Sequence, residues 1–173
     1  MESVTHATVR TAPTPLAEPH GSHIADLLES PDILLDWDVA DKGELFESID
    51  QHMVMTHGLT RGFTAMSLNN RERIGSTGLG EGVAVPHARV QNLRDIHLLY
   101  IRLQSPIAFD APDCKPVLDV LVLLVPDQAR QLHLNILADI SRVFADRRFR
   151  LCLHQCTSDC DVKQLFQAWA LWV

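Results

Sequence analysis

Two apolar stretches dominate the chain: Ile96 to Leu103 and Val117 to Val125. The second is almost unbroken, Val-Leu-Asp-Val-Leu-Val-Leu-Leu-Val, the pattern of a strand buried on both faces. Pro106, Pro112 and Pro116 mark a loop between the two strands. Elsewhere the apolar positions recur at three- and four-residue steps. Asp41 caps a helix through Leu45, Phe46, Ile49, His52 and Met53 that ends at Gly58. Thr60 caps a second helix, to about Asn70, presenting Phe63, Met66 and Ser67. Leu132, Ile136, Ile140, Val143 and Phe144 form the stripe of a helix over residues 128–145. Ser22 opens a short helix through Leu28, Ile33 to Asp38 reads as a first strand, and Arg147–Gln155 and Asp159–Trp172 close the chain as helices. Strands interspersed with helices predict a layered α/β domain. Residues 1–21, with Pro13, Pro15 and Pro19 and few apolar positions, read as a flexible tail; the domain proper spans 22–173.

A length of 173 residues suits one domain with a real core. No apolar run approaches the roughly 20 residues that span a bilayer, and the first residues lack a secretory pattern, so a cytoplasmic location is expected. The net charge of −7 argues against a nucleic-acid partner, whose footprint is basic. Of the four cysteines, Cys152, Cys156 and Cys160 lie close together with His154 among them. Their spacing departs from the paired C-x2-4-C of zinc sites. Ser158 and Asp161 form a variant capping box that starts a new helix and separates Cys160 from the other two. Free thiols in a reducing compartment are the expected state, and no metal site is assigned.

The chemistry concentrates between Arg71 and Arg89. Gly75, Gly78, Gly80 and Gly82 lead into a short β-branched strand, Val83 to Val85, which Pro86 should stop because it offers no N–H to a ladder. His87 follows at once. An unperturbed imidazole is roughly three quarters neutral at pH 7, and its free nitrogen can attack phosphorus. The dianionic product needs donors. Backbone N–H groups of the loop, the hydroxyls of Ser76 and Thr77, and the guanidinium of Arg71 are the candidates. The loop lacks the G-x-x-x-x-G-K-[ST] spacing of a nucleotide P-loop, and neither H-E-x-x-H nor G-x-S-x-G occurs.

The run Arg71-Glu-Arg-Ile-Gly-Ser-Thr-Gly-Leu-Gly-Glu-Gly-Val-Ala-Val-Pro-His87 resembles the active-site signature of the type-2 enzyme IIA domains of the bacterial phosphotransferase system, the fructose–mannitol–nitrogen family. Ser105 to Val117 is similar to a loop between two strands of that family. Leu123 to Gln128 with His133 to Leu137 resembles its strand, loop and helix start. The likeness is densest over residues 71–145, and the nitrogen-regulatory branch is the most similar. Ala88-Arg89 stands where Gly-Lys is frequent. The resemblance implies a mixed β-sheet flanked by helices on both sides. It implies that His87 is transiently phosphorylated on its tele nitrogen, with His133 and Arg71 as its supporting catalytic residues; Ser76, Thr77 and Gly78 of the glycine loop are the candidates for binding the phosphate. The implied donor is an HPr-like phosphocarrier, and the implied targets are regulated proteins such as kinases or transporters. No cofactor, nucleic acid or stable membrane insertion is implied. Two other readings stand beside it: a sugar-specific IIA that passes phosphate to a IIB component, and a binding protein that has lost phosphorylation.

Overall fold

The computed structural model describes residues 22–127 and 130–169. The expected N-terminal tail and the last four residues lie outside them. In chain order the elements are α1 (Ser22–Leu27), β1 (Leu28–Trp37), α2 (Lys42–His57), α3 (Phe63–Ile74), β2 (Gly78–Gly80), β3 (Val83–Ala84), β4 (His87–Arg89), β5 (His97–Ile107), β6 (Val117–Val125), α4 (Arg130–Ala145), α5 (Arg147–Gln155) and α6 (Asp159–Trp169). They form one α/β domain around a mixed sheet in the order β1-β5-β6-β3-β2, with β4 also paired to β6. β6 runs antiparallel to β5 and parallel to β3 and β4.

The unbroken apolar pattern of β6 has a simple cause. Leu121, Leu123 and Val125 face one core, shared with Ile136, Ile140, Phe149 and Phe166 of α4–α6. Val120, Val122 and Leu124 face a second core, shared with Phe46 and Met53 of α2 and Leu68 of α3. Both faces of the strand are therefore dry. Burying each such side chain contributes about 1.5–3 kcal/mol. Asp119 is the polar exception on β6. It is buried and accepts hydrogen bonds from Tyr100 Oη at 2.7 Å and His154 Nε2 at 2.5 Å, tying α5 to the sheet. Burial and that carboxylate push the Tyr100 hydroxyl far above the usual phenol range.

Helix ends follow the sequence where the cap is local. Asp41 accepts from Glu44 N at 2.9 Å while Glu44 accepts from Ala40 N at 2.7 Å, and Gly58 closes α2 in the left-handed region at φ 68°. Ser158 Oγ accepts from Asp161 N while the Asp161 carboxylate accepts from Ser158 N, each at 3.1 Å, which starts α6 as expected. The start of α3 differs from expectation. Its first N–H groups are capped by the buried carboxylate of Asp50, which accepts from Gly62, Thr64 and Ala65 at 2.8–3.2 Å, and Thr60 lies outside the helix. The helix also continues past Asn70 to Ile74, so Arg71 is helical.

Candidate functional site

The site is assembled where α3 ends, the sheet edge is interrupted and α4 begins. The glycine loop is a β-hairpin rather than an irregular turn. β2 and β3 pair antiparallel around Glu81 and Gly82, whose φ values of 52° and 79° are those a two-residue hairpin turn requires. Gly78 packs so closely that a Cβ there would lie 2.8 Å from Ala111 Cβ, so no side chain fits. Pro86 breaks the strand without ending it. β3 and β4 lie end to end along β6, and the ladder resumes with His87 opposite Leu123. Val83 and Val85 belong to the core beneath α4. His87, two residues on, continues that alternation and points to the same side.

His87 is held by both ring nitrogens. Its Nδ1 is 2.9 Å from Val85 O. A carbonyl only accepts, so Nδ1 carries the proton and Nε2 keeps its lone pair. Arg71 Nε donates to that Nε2 at 3.1 Å, and Arg71 Nη1 donates to Gly75 O at 2.9 Å. Burial lowers the His87 pKa from its ordinary value, and the Arg71 charge lowers it further, against the opposing Val85 carbonyl and Glu72. The neutral, nucleophilic form is therefore favoured at pH 7.

His133, on the first turn of α4, has its ring centroid 5.6 Å from that of His87. Its Nε2 is buried and has no hydrogen-bond partner among the described residues. Burial lowers its pKa, with His87, Arg89 and Arg71 adding to the effect. An imidazole nitrogen left unpaired costs about 1–3 kcal/mol, so a group that pairs with it is welcome.

Ser76, Thr77 and Gly78 are engaged inside the loop. Ser76 Oγ donates to Phe109 O at 2.6 Å and accepts from Gly78 N at 3.1 Å. Thr77 donates through Oγ1 to Glu72 at 2.6 Å. Glu72 is the residue that sequence reasoning passed over. It accepts from Thr77 N as well and pairs with Lys42 Nζ at 3.1 Å, so it locks the loop to α3 and α2. The signal was present, since Glu72 sits inside the quoted signature, but its partner Lys42 lies thirty residues away.

A half-buried imidazole with one committed proton, a second nitrogen whose lone pair accepts from the Arg71 guanidinium, and a neighbouring imidazole can accept a group at Nε2 and hold negative charge there. Residues 26–169 match the family described as the phosphoenolpyruvate-dependent sugar phosphotransferase system, EIIA 2, and the chain belongs to that family. It is a phosphotransferase-system EIIA component. A nitrogen regulatory protein of Klebsiella oxytoca is 33% identical over 120 residues, 68% of this chain and 74% of its own. The crystal structure of nitrogen regulatory protein IIA-Ntr from Neisseria meningitidis superposes with a TM-score of 0.79 at 35% identity, covering 84% of this chain and 99% of its own. The Escherichia coli mannitol enzyme IIA, solved in complex with phosphorylated enzyme IIB, shares the fold at a TM-score of 0.69 and 17% identity, covering 82% of this chain and 97% of its own. Among the described residues no helix is long and apolar enough to cross a membrane.

Proposed function

We propose that His87 carries the phosphoryl group of a nitrogen-type phosphotransfer chain, and that its phosphorylation state governs which proteins this one binds. The observation that carries the proposal is the pairing of Nδ1–H with Val85 O, which leaves Nε2 as the attacking atom. The P–N bond to a donor phosphohistidine breaks as the P–Nε2 bond forms. Val85 O keeps the Nδ1 proton in place and stabilises the positive charge that the ring develops. Arg71 swings its donors from Nε2 onto the phosphoryl oxygens, and His133, protonated at Nε2, donates to another. The loop of Ser76, Thr77 and Gly78 then serves by holding the rim rigid around the group. The donor is an HPr-like phosphocarrier in the cytoplasm. The regulatory reading leans on the relatives named as nitrogen regulatory proteins.

The test incubates the full chain with phosphoenolpyruvate, enzyme I and an HPr-like carrier. Expected is one acid-labile, base-stable phosphate, absent from His87→Ala. A label that survives His87→Ala removes the assignment. Partner capture with wild type and His87→Glu should differ in the proteins recovered. If a sugar-specific IIB is the sole state-dependent partner, transport replaces regulation.

A further inference from the structure

On the opposite face of the sheet from His87, two histidines of α2 bond one buried carboxylate of β1, and a third histidine, at the start of β5, lies beside them. Asp32, 1% exposed, accepts from His52 Nε2 at 2.8 Å and from His57 Nε2 at 2.8 Å, both on Oδ1. His57 also reaches Oδ2 at 3.0 Å. The His57 and His97 rings lie 4.3 Å apart, centroid to centroid. One ligand atom from each of Asp32, His57 and His97 falls within 4.8 Å of the other two.

Local structure is bent to make this cluster. Between the pairs Leu28↔Leu98 and Ile33↔Tyr100, β1 advances by five residues while β5 advances by two. This bulge contains Pro31, which has no ladder hydrogen to lose, and it delivers Asp32 inward. His57 is the last residue of α2, and His97 the first of β5, so each is held at the rigid end of an element. A cavity of about 520 Å³ opens beside them, lined by His57, His97, Thr60, Gln91, Asn92 and Asp95 among others.

We infer that Asp32, His57 and His97 form a binding site for a divalent transition-metal ion, zinc in the first instance. Two neutral imidazoles and one carboxylate are a borderline donor set that suits zinc better than calcium or magnesium, which take oxygen ligands. Ligand atoms around tetrahedral zinc at about 2.0–2.2 Å lie roughly 3.3–3.5 Å apart. The cluster therefore needs His57 to part from Asp32 by a few tenths of an ångström and the third ligand to close by about one. Asp32 then offers Oδ2 to the ion while Oδ1 stays on His52, an outer partner that fixes the carboxylate's orientation. Water from the cavity takes the fourth position. Charge favours a cation. Asp95 and Glu29 add negative potential at His97, against which Arg94 on the cavity wall is the nearby positive group. The arrangement is unrelated to the phosphoryl site, since His97 is opposite Leu124 and His87 opposite Leu123, which face different cores.

The experiment titrates chelator-stripped full chain, under reducing conditions, with Zn²⁺ alone and follows bound metal by equilibrium dialysis. A single equivalent should be retained, and His97→Gln and His57→Gln should each lose more affinity than the roughly 10–100-fold that outer-shell changes cost. Conversion of all four cysteines to serine, and the His87→Ala/His133→Ala pair, should leave binding unchanged. Substitution with Co²⁺ on the wild-type chain requires no variant at all. Its spectrum should show tetrahedral d–d bands without a sulfur charge-transfer band. Binding that survives His97→Gln in a folded variant, or vanishes with the cysteines or with the His87/His133 pair, overturns the site, as does a sulfur band in the cobalt spectrum.

Discussion

At the scale of single residues, the proposed phosphoryl transfer turns on which nitrogen of His87 keeps its proton. The sequence supplied the histidine, the arginine and the second histidine. It could not supply Val85 O, because a backbone carbonyl has no letter of its own. Arg71 has two effects at once. It donates to Nε2, and its charge helps hold the imidazole neutral below its ordinary pKa. Removing it should therefore change both rate and pH dependence. Arg71→Ala is expected to slow phosphoryl transfer by roughly tenfold to a hundredfold, the equivalent of a charge-assisted hydrogen bond at about 1.5–3 kcal/mol. Its acid limb in the pH–rate profile should also move to higher pH, because the ring now protonates more readily. A rapid-quench profile from pH 5 to 8 measures both. A slower variant with an unmoved acid limb would assign Arg71 to positioning alone.

Elements set where those residues stand, and here sequence and structure part company in instructive places. β6 and α5 begin and end where the apolar pattern says, because a strand dry on both faces and a helix capped by its neighbour Asp146 are written locally. The start of α3 is not written locally. Its cap, Asp50, lies twelve residues before Gly62 on another helix, and no window of sequence connects them. The Asp32 cluster was illegible for the same reason: its members come from a bulged strand, a helix end and a strand start. Asp50→Ala should leave three N–H groups at the head of α3 without their acceptor. A loss of about 2 kcal/mol is expected, lowering Tm by roughly 4–8 °C. Amide exchange should quicken in the first turns of α3 and spare α5. Asp50→Asn, which keeps one acceptor, should fall between. An unchanged Tm and exchange pattern in Asp50→Ala would mean that water caps the helix equally well.

The whole molecule stores its chemistry in a sheet with two separate cores, and this makes its stability depend on pH. His87 and His133 are both half-buried on the α4 side, and both have folded pKa values below the ordinary one. In the unfolded chain each titrates near 6.5. Between that value and the lower folded one, the unfolded state binds more protons than the folded state. The two histidines thus contribute stability that is fully present above about pH 6.5 and is lost as pH falls through their folded values. Urea unfolding of the wild type should show the free energy declining once pH drops below that point. In His87→Gln/His133→Gln the groups that must be charged are gone, so the decline over the same interval should be shallower, whatever the absolute stability of the variant. The charge effect is separable from packing because packing does not change with pH. Parallel slopes for the two proteins would locate the acid sensitivity elsewhere in the fold. A difference confined to the interval just below pH 6.5 would place it at the pair of imidazoles, whose partial burial disfavours their charged forms.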